Sequence, residues 1–106
     1  MQLRHRVGYA VGQTAMLKAH VQEYYLDVRR WPTKGSDLGA ATRVEFPDGG
    51  YYELEDDGVI RIHFTATPEL MNGSVVLSPA VGKDGITWKC HADGLWKGHM
   101  IAACRN

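Results

Sequence analysis

No apolar run in this sequence approaches the roughly 20 residues that a helix needs to cross a bilayer, and no signal peptide is visible. No charge surplus exists either. Twelve Lys and Arg stand against 12 Asp and Glu, for a formal net charge of zero. A general nucleic-acid binder carries a basic excess, so that class starts weak. Cysteines number only two, and they lack the C-x-x-C spacing of a redox pair. No G-x-S-x-G turn is present to carry a nucleophile, so the sequence reads as a non-enzyme. Five histidines occur, His5, His20, His63, His91 and His99. No two of them share the i, i+4 spacing of a helical metal pair, so all five read as structural or surface residues and no metal or cofactor is expected. Nothing is low-complexity.

What remains is 106 residues of ordinary globular composition, 44 % apolar and 23 % charged. That length predicts one domain, 1–106, with a modest core. The charges are unevenly spread. Arg4, Arg6, Lys18, Arg29, Arg30 and Lys34 dominate the first third, whereas Glu45, Asp48, Glu53, Glu55, Asp56 and Asp57 fall in a stretch without a cation. Such a split gives either a mosaic solvated surface or opposed basic and acidic faces, which suit packing against copies of the same chain.

Residues 3 to 28 carry one period. Leu3, Val7, Ala10, Thr14, Leu17, Val21, Tyr24 and Val28 recur at alternating intervals of four and three, the seam of one long helix. It occupies 1–30 and stops before Trp31-Pro32, because the residue preceding a proline is pushed out of the helical region. Residues 31–50 form an irregular connector rich in Gly, Pro, Ser and Asp. Strands follow over 51–90. YYEL, EDDG and VIRIHFT read as a hairpin, with Ile60, Ile62 and Phe64 facing inward. SVVLSP is a third strand, and GKDG turns it into ITWKC, a fourth. The expected class is α+β: a long N-terminal helix packed on a four-stranded antiparallel meander. Leu17, Val21, Tyr24, Val28, Ile60, Ile62, Phe64 and Trp88 are the expected core, and Trp31 is a packing residue.

Cys90 and Cys104 both lie in the last stretch. Zinc would need His91, Asp93 and His99 beside them, in no recognised ligand spacing. A disulfide is the favoured reading. It would close the loop 90–104, stabilise by about 3 kcal/mol, and pin a tail that would otherwise fray. It also implies an oxidising compartment.

The ordered set of motifs resembles bacterial type IV pilins, specifically the type IVa subunits of Gram-negative bacteria. LKAHVQEYYLDVRRWPT is similar to the end of that family's helix. ITWKC is similar to its last strand, and HMIAACRN to its terminal segment, with Ile101-Ala102 where many members have proline. The resemblance covers nearly the whole chain and implies the pilin fold with a loop closed by Cys90 and Cys104. It implies that RHRVGYAVGQ follows an apolar half-helix absent here, so the chain reads as truncated to its soluble head. The native protein would then be anchored in the inner membrane, N-methylated, and facing the periplasm before assembly into a cell-surface pilus. Leu3, Val7 and Val11 would project beyond the head and meet neighbouring subunits. Partners would be other pilin subunits, the assembly machinery, and a host surface, phage or DNA. Filaments of the family serve adhesion, twitching motility or DNA uptake. Trp96 and Lys97, inside the closed loop, are candidate surface contacts, although Trp96 could instead tuck under the loop. A DNA-binding minor pilin is an alternative, with Lys83, Lys89, Lys97 and Arg105 as its contacts. A type II secretion pseudopilin is another, disfavoured by the two cysteines.

Overall fold

A computed structural model describes residues 3–36, 38, 41–47 and 49–105. Asp48, in the acidic stretch, lies outside the described residues. The helical seam of the sequence is divided into α1 (Leu3–Gln13) and α2 (Ala15–Val28). The break has a local cause. The buried Thr14 hydroxyl donates to the Val11 carbonyl at 2.7 Å, and the Thr14 amide reaches the same oxygen at 3.2 Å. A threonine bonding back to its preceding turn tightens the helix at that point. The amide of Lys18 then resumes the helical ladder on the Thr14 carbonyl at 2.9 Å. Among the described residues, no helix is long and apolar enough to cross a membrane.

The helix ends at Arg29, whose φ of 66° is left-handed and whose amide bonds the Tyr25 carbonyl at 2.8 Å. Glycine is the usual residue at such a cap, because a Cβ in this region costs about 1 kcal/mol or more. Arg29→Gly is therefore expected to raise the melting temperature by roughly 4–8 °C. A calorimetric scan that shows no rise would mean the cap is not strained.

The sheet has five strands, not four: β1 (Arg43–Glu45), β2 (Tyr51–Leu54), β3 (Ile60–His63), β4 (Ser74–Gly82) and β5 (Gly85–Asp93). All neighbours are antiparallel and follow chain order. The additional strand, β1, lies within the expected connector and pairs Val44 with Tyr52. Three residues are too few for alternation to show in a sequence. The turn after it needs Gly50, whose φ is +116° and whose missing Cβ would collide with the His63 carbonyl. Only glycine tolerates both conditions.

Alternation along the strands sends Tyr52, Leu54, Ile60, Ile62, Val75, Leu77 and Cys90 into the core beneath the helix, where Leu17 and Val21 meet them. Phe64 is buried just past β3, and Trp88 packs half-buried at the margin. Two corrections concern the helix. Tyr24 and Val28 are only half-buried and lie outside the core cluster. A seam of period 3.5 drifts around a straight helix of 3.6 residues per turn, by about 20° per heptad. At the other end, Val7 does not project. It is 0 % exposed, with Ala10 beside it in the core and Leu3 and Val11 half-buried against it. The C-terminal tail folds back over this part of the helix. Arg4 Nε donates to the Gly98 carbonyl at 3.1 Å, and Gly8 lets the Ile101 side chain approach.

Candidate functional site: the stapled tail and its surroundings

The tail leaves β5 at Asp93 and turns at Gly94, whose φ is +79°. It makes two short helical turns, Lys97–His99 and Ala102–Cys104. The second turn carries Cys104 back to β5, where it forms a disulfide with Cys90 across a Cα separation of 4.5 Å. Both cysteines are buried, and neither is free. Between the turns, Met100 drops fully into the core, while Arg105 Nε donates to its carbonyl at 3.0 Å. The tail is thus held by a covalent staple, a buried anchor and a hydrogen bond to α1.

What this scaffold presents is Trp96. It is 70 % exposed, so it does not tuck under the loop. Its ring meets His99 edge-on at 4.9 Å, and its indole lies over Gly98, where any Cβ would strike it. His99 Nδ1 is buried without a hydrogen-bond partner among the described residues. Lys97 stands exposed beside Trp96.

A cleft of ≈ 800 Å³ runs between the helix, the free edge of β5 and the tail. Val11 and Lys18 line it from the helix, Trp88, Lys89 and His91 from β5, and Ile101 from the tail. The Lys18 ammonium sits 5.7 Å from the centre of the Trp88 ring, and Trp88 Nε1 donates to Gln22 Oε1 at 2.8 Å. Burial pulls the Lys18 pKa below its ordinary value, because desolvation disfavours the charged form. No carboxylate lines this cleft.

The four candidate DNA contacts are exposed but spread out. Lys83 stands at the tip of the β4–β5 hairpin, and Lys89 is six residues further along, about 20 Å of extended strand. Lys97 and Arg105 belong to the tail turns.

The sequence reading missed one charged residue with several partners. Arg61, on the solvent face of β3, donates to both carboxylate oxygens of Glu55 at 3.0 Å, to Ser74 Oγ at 2.6 Å and to Asp93 Oδ2 at 2.8 Å. The Asp93 and Glu55 contacts raise its pKa further, partly opposed by burial. The outward position of Arg61 was legible, but its partners come from β4, β5 and the hairpin, which only the register brings together. Three or more His, Cys, Asp or Glu residues gathered as a metal site do not occur among the described residues.

A family model described as Pilin (bacterial filament) matches residues 4–105. No curated protein matches the chain.

Proposed function

Because this chain belongs to the pilin family and is therefore a structural subunit of a bacterial surface filament, we propose that its type IV filament serves attachment, with the stapled tail as the contact surface. The family is one of structural proteins that assemble with other pilin subunits. One observation carries the attachment reading. An aromatic side chain, 70 % exposed, stands on a loop closed by a disulfide and tied to α1 through Gly98. An immobilised aromatic loses little conformational entropy when it binds, and aromatic anchors dominate contact energies. Lys97 supplies a charge at its rim.

Before assembly the subunit is held at the inner membrane by an apolar segment preceding these residues, with its head in the periplasm. The disulfide supports the periplasmic placing of the head, since such bonds form in oxidising compartments. Twitching motility and DNA uptake are the other uses of such a filament.

The test is a strain whose filaments carry Trp96→Ala. Filament number by electron microscopy should be unchanged, whereas attachment to surfaces should fall. If attachment persists while twitching or DNA uptake is lost, the filament serves that activity instead.

A further inference from the structure

The cleft beside β5 shares no residue with the Trp96 surface, and its two ends differ in chemistry. Along the helix it runs from Val11 to Lys18, a rise of about 10 Å. Along the sheet it runs from Trp88 to Ala92, about 13 Å of strand. The Lys18 ammonium stands over the Trp88 ring, so these two mark one end. Val11, Ile101 and Ala103 mark the other, where the tail meets the helix, and none of them carries a charge. Lys89 and His91 are exposed and alternate with the inward Trp88, Cys90 and Ala92. They belong to the far face of the sheet, which leaves Lys18 as the cation on the helix side of the cleft.

We propose that this cleft binds a small amphipathic carboxylate, with its charged head at Lys18 and its apolar body lying along Val11 and Ile101 towards the tail.

Four observations support the assignment. The cleft holds ≈ 800 Å³, within the range of roughly 300–1,000 Å³ usual for small-molecule sites. Its inner side is apolar, built from Leu77 and the disulfide. Lys18 forms no ion pair among the described residues, and no carboxylate lines the cleft. Its ammonium is already partly desolvated, with the Trp88 face as its compensation, so an arriving carboxylate gains more there than at a fully solvated lysine. The Trp88 ring is fixed in advance by its hydrogen bond to Gln22, which reduces the ordering cost of binding.

The same features select the ligand. A neutral apolar molecule would bury the ammonium further and give it no partner. A phosphate or a nucleic acid strand asks for several donors or cations, and this cleft offers one lysine on its inner wall. A single negative charge at the head of an apolar chain matches both ends at once.

The experiment titrates the 106-residue chain with octanoate, below its micelle concentration, and follows binding by nuclear magnetic resonance. Octanol and acetate serve as the probes that lack the charge and the apolar body. Octanoate should saturate, with shifts confined to Lys18, Trp88, Ile101 and their neighbours, and should bind at least about tenfold more tightly than either control. Lys18→Met keeps the length of the side chain and removes its charge. It should abolish the preference for octanoate over octanol. Ala103→Asp, at an exposed position of the opposite end, should weaken octanoate by about tenfold through repulsion while leaving acetate unaffected. Unchanged melting temperatures of both variants control for folding. No saturable binding of octanoate, equal binding of octanol, or a Lys18→Met variant that binds octanoate like the wild type overturns the proposal. Shifts with acetate as strong as those with octanoate would show a bare anion site and overturn it as well. Attachment through Trp96 stands or falls separately, because neither substituted residue belongs to that surface.

Discussion

Val7→Asp should unfold the head or bring it close to unfolding. The Val7 side chain is completely buried in the core, in the same cluster as Ala10. A carboxylate there has no described cation to pair with in the apolar cluster. Placing it uncharged but unpaired costs several kcal/mol, and the lost valine burial adds to this. The total, roughly 4 kcal/mol or more, is a large part of the stability of a domain this size. Urea titration of the variant head measures it directly. The opposite result is equally informative. Near-normal stability combined with failed filament assembly would mean that the first half of the helix faces neighbours rather than its own core.

Cys104→Ser is expected to have the second-largest effect. Opening the staple frees a loop spanning 14 positions in sequence and returns about 3 kcal/mol of chain entropy to the unfolded state. For a domain of this length, that corresponds to a fall of about 10–20 °C in melting temperature. The loss should not be uniform. β5 retains its long pairing with β4, from Gly82↔Gly85 to Ser74↔Asp93. The tail keeps Met100, the half-buried Leu95 and Ile101, and the Arg4–Gly98 hydrogen bond. Limited proteolysis should therefore cut first between Gly94 and Arg105, while the sheet survives. An unchanged melting temperature, or first cuts in β4 and β5, would show that the tail does not depend on its staple.

Much of this arrangement is legible in the sequence because it follows short periods. The seam through Leu17 and Val21 marks the helix, and the alternation around Ile60 and Ile62 marks the strand and its inner face. The pre-proline Trp31 marks the end of the helix to within a residue or two. The cysteines point to the staple, but their pairing is also what the family resemblance implies. Other features carry no period to read. β1 is three residues inside a Gly- and Pro-rich stretch. Leu70 and Met100 are fully buried single residues from irregular segments, and nothing beside them in sequence says which way they point. The seam itself is faithful only in its middle. It drifts off the core by Tyr24, and the expectation that Val7 stands free fails because this half of the helix joins the core and a tail more than 90 residues away in sequence. Arg61 escapes notice for a related reason. Its partners Glu55, Ser74 and Asp93 become neighbours only through strand register.

The return of the tail onto α1 has a consequence for the order in which the molecule can be completed. Every strand pairs with its neighbour in sequence, so the sheet closes through short loops at small entropic cost and can organise while the chain is still emerging. The first half of the helix cannot be finished that way. Its cover arrives with residues 98–104, among the last to be synthesised. Until then the side of α1 at Arg4 and Gly8 lacks its cover, and the same final segment brings in the second cysteine. Covering the beginning of the chain and oxidising its end therefore belong to one closing event. A subunit caught before that event would show both an uncovered helix and two reduced thiols, two marks by which quality control could tell it from a finished one.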